Sequence, residues 1–474
     1  MKLGIAAALA ASLMSSTAMA GPVFDALVAN GPLAANNNVT RTDTFTTGVG
    51  QYNTVARAGG NTGLATPFVT NGAVQQQVIF HVQQPGSTFP ANPLIDQLAI
   101  DPSRPNFLFT TPEIGASLQG GLYRVDLTAG TSIQISDPNV TGPFSRGDLV
   151  RFTDRGTALV AEESGSGGRL FEVLNPFGDP NDPVVANRPI TIDRPAIGRL
   201  SHEGYSIDKF GNSYVADENF PGGIFRLVPT NPNDPLAGGQ LFALRVSGAN
   251  NVGAADWVAL NNPDGTPIAG ITDPTVNARQ AVADYNAANP NSPISAFNRP
   301  EDFELQTLPG GREILYVPTT GDNRIYAIDV TDPAAPSTKI FVDTNTIDAA
   351  TGLAVGSGFS SPDNIAISAF GDICVTEDIG GSNPVDDIFC AQDADGDGVA
   401  EAIVRLGIQT TFAAEPTGIL FDPLNPFRLF VNTQHADGGR DFISVFSVPE
   451  PGTLGVLGAG AALAGIAAGR RRRR

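Results

Sequence analysis

The chain has 474 residues, with 53 Gly, 37 Pro, 48 acidic and 28 basic side chains and a formal net charge of −20. That length suits one large or two medium domains, and the Gly and Pro content with scarce helix-period runs argues for an all-β protein over a helical bundle. The acidity, greater still without Lys2 and the five terminal arginines, argues against a nucleic-acid or anionic-membrane surface and is compatible with cation binding.

The chain opens on Lys2, an apolar run from Leu3 to Leu13 and the small-x-small site Ala18-Met19-Ala20, which reads as a secretory signal peptide over residues 1–20. Residues 21–92 are rich in Thr, Asn, Gly and Ala, with one good strand from Val78 to Val82, and read as a segment packing on the main body. From residue 93 a unit recurs: two alternating strands around a Gly turn, then a third strand. Its copies begin at Ile95, Asp148, Ser201, Arg299, Ser361 and Glu415. The third is the most complete, running from Ser201 to Glu218 and then from Pro221 to Val228. Six such copies over residues 93–447 predict a six-bladed β-propeller, with an insertion at about 247–298 that holds the only Trp, Trp257, and a helix from Val276 to Ala288.

Each copy places an acid where the first strand starts or the second ends, and in an antiparallel hairpin these positions share one end. Strand starts carry Asp148, Glu203, Glu301 with Asp302, Asp363 and Glu415; second-strand ends carry Glu162 with Glu163, Glu218, Glu377 with Asp378, and Gln434-His435; copy one adds Asp96 and Glu113. So many carboxylates around one channel mouth require either protons or cations between them, and the oxygen donors suit calcium. Two of the three histidines, His202 and His435, share this register; His81 does not and reads as structural. A second cluster, Asp393-Ala-Asp395-Gly-Asp397-Gly-Val-Ala-Glu401, matches the first half of a calcium loop, but the twelfth position is Val404, so it is no EF-hand. Cys374 and Cys390 flank one loop in strand-like runs, a spacing that suggests a disulfide in an oxidising compartment. No Gly-x-Ser-x-Gly elbow or Walker-type phosphate loop occurs, which disfavours a Ser-His-Asp hydrolase.

The tail reads Val448-Pro-Glu-Pro-Gly452, an apolar run of about 17 residues just long enough to span a membrane, and Arg470 to Arg474. This order resembles the PEP-CTERM sorting signal of Gram-negative bacteria. The resemblance implies an exosortase-type partner, membrane contact only through the tail before processing, and delivery to the periplasm, cell surface or extracellular matrix. The phrases Gly198-Arg-Leu-Ser-His-Glu203, Ala216-Asp-Glu218, Arg299-Pro-Glu-Asp302, Ser361-Pro-Asp-Asn364, Glu415-Pro-Thr-Gly418 and Val431-Asn-Thr-Gln-His435, in this order, resemble the PhoX alkaline phosphatase family. That resemblance implies a secreted propeller hydrolysing phosphate esters at a calcium and iron cluster. Its metal ligands would be Glu162, Glu203, Glu218, Glu301 and Glu415, joined by Asp302 and Asp363 from the register. Arg199 or Arg299 would meet the phosphate, with His202 and His435 beside them. Calcium is the cofactor expected and iron(III) the alternative, since the family's Asn-Cys-Asp thiolate phrase has no counterpart before residue 145. Two other readings stand beside this one: a non-catalytic calcium-stabilised matrix propeller, and a gluconolactonase-like calcium hydrolase.

Overall fold

Short alternating strands leave half of their backbone groups to be satisfied by neighbours, and tight turns bring those neighbours close. Four inner hairpins share one turn: Thr153–Thr157, Asp208–Asn212, Leu308–Arg312 and Ser368–Asp372. In each, the glycine (Gly156, Gly211, Gly311, Gly371) has a positive φ of 72–91° that a side chain would resist. Asp208 braces its turn, accepting from the N–H groups of Phe210 and Asn212 and from the Tyr214 hydroxyl, each at 2.9 Å.

The computed structural model describes residues 21–29, 33, 67–70, 74–380, 386–409, 414–436 and 440–450. The leader read at residues 1–20 and the apolar run and arginine cluster of the tail lie outside them, and no helix among the described residues is long and apolar enough to cross a membrane.

The described residues form a six-bladed β-propeller of antiparallel blades. Blade one is Ile95–Ile100, Phe107–Pro112, Tyr123–Asp126 and Thr131–Gln134. Blade two is Gly147–Phe152, Ala158–Glu162, Leu170–Leu174 and Ile190–Asp193. Blade three is His202–Ile207, Ser213–Asp217, Gly223–Pro229 and Gly239–Val246. Blade four is Glu304–Thr307, Glu313–Thr319, Arg324–Asp329 and Ser337–Val342. Blade five is Pro362–Ile367, Ile373–Glu377, Asp387–Gln392 and Ala402–Gln409. Blade six is Glu415–Asp422, Asn425–Gln434 and Phe442–Ser447, and its outer strand is Gln75–His81. The N-terminal segment thus closes the ring, tying residues near 78 to residues near 444.

The core is a closed circle of six blade-to-blade interfaces. Val150 and Phe109 join blades two and one; Val215 and Leu159 join three and two; Tyr214 and Leu315 join three and four. Tyr316 and Ile365 join four and five, Cys374 and Leu429 five and six, and Phe430 and Leu108 close six onto one. Neighbouring residues such as Tyr214 and Val215 serve opposite interfaces because strand side chains alternate. Each fully buried apolar side chain contributes about 1.5–3 kcal/mol.

The insertion adds a fifth strand, Gly253–Ala259, to blade three; it pairs with Ser337–Val342 and merges blades three and four into one nine-stranded sheet. Its helix, Pro274–Ala288, starts two residues before the expected Val276, with Asp273 as N-cap and Pro274 in the first turn. Arg279 on this helix pairs with Asp217 at 2.6 Å, docking the insertion beside the end of a blade-three strand. Cys374 and Cys390 stand directly opposite each other in blade five and form a disulfide.

Candidate metal centre

Every inner hairpin carries the same defect, a shift of one residue in pairing register near the start of the innermost strand. It lies between Ile95 and Leu98, Gly147 and Val150, Glu203 and Tyr205, Pro362 and Ile365, and Thr417 and Leu420. In blade four it separates the Pro300–Thr319 bridge from the Glu304–Tyr316 pair. A bulge re-aims side chains, so the six blades present equivalent residues to the channel.

Counting back from the bulge defines three sets. The residues at its leading edge are Asp96, Asp148, Glu203, Glu301, Asp363 and Thr417. Two residues earlier stand Leu94, Arg146, Ser201, Arg299, Ser361 and Glu415. Across the hairpin stand Glu113, Glu163, Glu218, Thr320, Asp378 and Gln434. The first five of this third set donate their backbone N–H to the carbonyls of the second set's first five members at 2.7–3.1 Å. Leu94, Arg146, Arg299 and Ser361 all hold positive φ, near +50°, to make this turn into the channel.

These residues converge on one cavity of about 540 Å³. It is lined by Asp96, Asp148, Glu203, Glu301 and Asp363 of the first set, by Glu113, Glu163, Glu218, Asp378 and Gln434 of the third, and by Arg146, Arg299, Glu415 and His435. A belt of polar contacts runs around the mouth. Arg146 bridges Glu113 at 3.0 Å and Glu163 at 3.1 Å; Arg299 reaches Glu218 at 2.5 Å, Glu301 at 3.4 Å and Asp378 at 3.8 Å. Gln434 donates to Glu415 at 2.5 Å and to Asp96 at 3.1 Å, and Thr417 donates to Asp96 at 2.5 Å. Below the acids, Arg151 of blade two crosses to Asp302 at 2.7 Å and Glu304 at 3.2 Å on blade four, a buried ion cluster that ties two non-adjacent blades together.

The electrostatics disfavour full ionisation of these carboxylates unless protons or cations lie between them. Burial first, and then neighbouring carboxylates, push Asp96, Asp148, Glu203, Glu301, Asp363 and Glu415 far above the usual carboxylate range. Burial and the hydrogen bond with Glu218 raise Glu163 to about 10. Burial opposes ionisation of Glu218 too, but the hydrogen bond from Glu163 and the charge of Arg299 together hold its carboxyl low. Asp148 and Glu203, both buried, face each other closely enough to share a proton, which by itself lowers Asp148 and raises Glu203 and leaves that proton as the one a cation would displace. An all-oxygen set of this kind fits hard cations.

Several expected residues are not brought into the cavity. His202 is fully buried on the far side of its strand, its Nε2 3.2 Å from the Gly198 carbonyl, and burial pushes the imidazole down to about 3, so it is neutral. Arg199 points outward into a two-pronged pair with Asp193. Glu162 alternates to the opposite side from Glu163 and is clasped by Arg169. Asp302 is turned from Glu301 to Arg151 by the same alternation. Glu203, Glu218, Glu301, Asp363, Glu415, Arg299 and His435 do line the cavity, though Glu415 takes the register position of the two arginines rather than that of the first-set acids. Arg146 was not anticipated. Its signal was present in Ser145-Arg-Gly-Asp148, where Arg stands two residues before the acid as it does in Arg299-Pro-Glu301. In the second cluster, Asp393, Asp395 and Glu401 bring carboxylate oxygens within 4.8 Å of one another, while Asp397 turns to Lys339 at 3.2 Å.

Fold and cavity together define a propeller whose channel mouth is a carboxylate funnel edged by two guanidiniums. Residues 148–437 match the family described as alkaline phosphatase PhoX, and the chain belongs to that family. Residues 447–474 match the PEP-CTERM protein-sorting motif, so this is a secreted or cell-surface protein. Family membership carries a metal cofactor with it. No curated protein matches the chain. Among solved structures it is similar to Pseudomonas fluorescens PhoX in complex with vanadate, a transition state analogue. That pair is 15% identical over 81% of this chain and 96% of that one, with a TM-score of 0.58, a likeness of fold. A gluconolactonase from Xanthomonas campestris is 13% identical over 82% of this chain and 93% of its own, with a TM-score of 0.43.

Proposed function

We propose that the chain is an exported, calcium-dependent phosphoesterase acting on phosphate esters at the channel mouth. The observation that carries this reading is the convergence of carboxylates from all six blades with Arg146 and Arg299 in one cavity. Asp96, Asp148, Glu203, Glu301 and Asp363 are the cation-holding set, with Glu163, Glu218 and Glu415 above them. Both cysteines are consumed in the blade-five disulfide, which favours calcium over an iron held by thiolate.

Bound cations there would lower the pKa of an attacking oxygen and neutralise negative charge on the phosphoryl group. The chain's own residues do the rest. Arg299 is 44% exposed; its Nε faces Glu218 and Glu301 and Nη2 lies 3.8 Å from Asp378, so the guanidinium is held at the mouth where it can meet a phosphate oxygen. Arg146, 52% exposed, offers a second guanidinium from blade two. His435 stands exposed on the rim, where an imidazole can pass a proton to a departing alkoxide. The Arg151–Asp302 pair ties blades two and four together beneath the acids.

The test is hydrolysis of a generic phosphate ester by the exported protein with calcium, after chelation, and after readdition of calcium or iron(III). Metal analysis by mass spectrometry accompanies it. Calcium-restored turnover is expected. Absence of turnover with either metal refutes the reading, and calcium binding without turnover would leave a calcium-stabilised surface propeller.

A further inference from the structure

A buried carboxylate far from the channel, Asp372 in blade five, has no use in the proposed chemistry. It is 0% exposed. Its partners are all neutral: the N–H of Phe24 at 2.9 Å, the N–H of Val23 and the Ser368 hydroxyl at 2.7 Å. No cationic side chain pairs with it among the described residues. A buried, uncompensated carboxylate is costly and ordinarily gains a counter-charge.

The segment lying against it starts at Gly21, the residue that follows the small-x-small site Ala18-Met19-Ala20. Gly21 is buried, and a Cβ at this position would overlap the Asp372 carboxylate. Ordinary bond geometry then puts the Gly21 nitrogen within about 5 Å of that oxygen. Gly21 also precedes the helix Pro22–Ala29, whose Val23, Phe24, Ala26 and Leu27 are buried in the blade-five and blade-six core. Glycine brings no side chain to cap that helix, and Asp372 supplies the capping acceptor from across the fold.

We propose that leader cleavage after Ala20 creates the missing counter-charge, so that the new α-ammonium of Gly21 pairs with Asp372 and locks the N-terminal helix onto blade five. A signal peptidase adds one water across the Ala20–Gly21 bond. The carboxylate leaves on Ala20, and the Gly21 nitrogen changes from a neutral amide to a primary amine that takes up a proton near neutral pH. A positive charge at a helix N-terminus is unfavourable by itself, and Asp372 offsets it. Burial raises the Asp372 carboxyl, and no cationic side chain among the described residues draws it down. The pairing makes Gly21 a requirement of the mature fold, since a larger residue has no room and an extra residue before it removes the charge.

The test is a double-mutant cycle on the exported protein. One variant inserts a single Ala between Ala20 and Gly21; the other is Asp372→Asn; the third combines them. N-terminal sequencing identifies the mature end, and hydrogen exchange reads the amides of residues 23–27. In the wild type the chain starts at Gly21, and the Ala insertion lowers protection of these amides at least tenfold. In the Asp372→Asn background the same insertion changes it less than twofold. A mature end other than Gly21, an insertion effect under twofold in the wild type, or an equal effect in both backgrounds overturns the proposal.

Discussion

Replacing Glu163 by Gln isolates what the carboxylate funnel costs when no cation fills it. Burial and its neighbour Glu218 raise the Glu163 carboxyl from 4.5 to about 10. In chelated protein the folded state therefore keeps a proton at pH 7 that the unfolded chain has released. The stability associated with that proton is fully present below pH 4.5 and is lost as pH rises toward 10. At 1.36 kcal/mol per unit, about 3 kcal/mol is gone by pH 7, less whatever Glu218, held low by the same hydrogen bond, returns. Glu163→Gln mimics the protonated form and removes this dependence. The chelated variant should be about 1–3 kcal/mol more stable than chelated wild type at pH 7 and nearly equal to it at pH 4.5. Urea unfolding at pH 4.5, 7 and 8.5, followed by Trp257 fluorescence, measures both. With calcium added the order should reverse, because the cation replaces the proton and Gln offers it a weaker ligand. A chelated wild type whose stability is flat or rises from pH 4.5 to 8.5, or a Gln variant that is less stable at pH 7, would refute the reasoning.

Four other outcomes follow from the same geometry. Arg299→Met should cut kcat/KM for a phosphate ester by about 10–100-fold, the worth of charge-assisted hydrogen bonds, and Arg299→Lys should recover only part of it. His435→Asn should lower kcat, whereas His202→Asn should lower the unfolding midpoint and leave kcat of the folded fraction within about twofold, because His202 is sealed behind its strand. Replacing both Cys374 and Cys390 by Ala should cost about 3 kcal/mol on denaturant unfolding, the entropy of a loop with a sequence separation of 16, without altering metal content. Deleting residues 75–81 should abolish cooperative unfolding, since blade six would lose its outer strand and the ring its closure.

Much of this molecule is legible in the chain itself, because its local rules are short-range. Gly turns such as Asp208–Asn212 and the alternation from Ser213 to Asp217 specify hairpins without reference to distant residues. Their recurrence is enough to count six blades. The acids at hairpin ends are visible for the same reason, and Glu203, Glu218, Glu301, Asp363 and Glu415 do reach the cavity.

What remained hidden depends on displacements of one residue or contacts hundreds of residues apart. A strand turns a side chain over at every step, so which of Glu162 and Glu163, or of Glu301 and Asp302, faces the channel is decided by the bulge and by the arginines that claim the other member. The strand Gln75–His81 closes a blade whose other strands lie more than 330 residues later, a pairing no local pattern encodes. The amino-acid sequence by itself determined the repeat, the turns and the wealth of carboxylates. Only the closed ring decided which of those carboxylates share one cavity, because only ring closure removes them from water and sets them against each other.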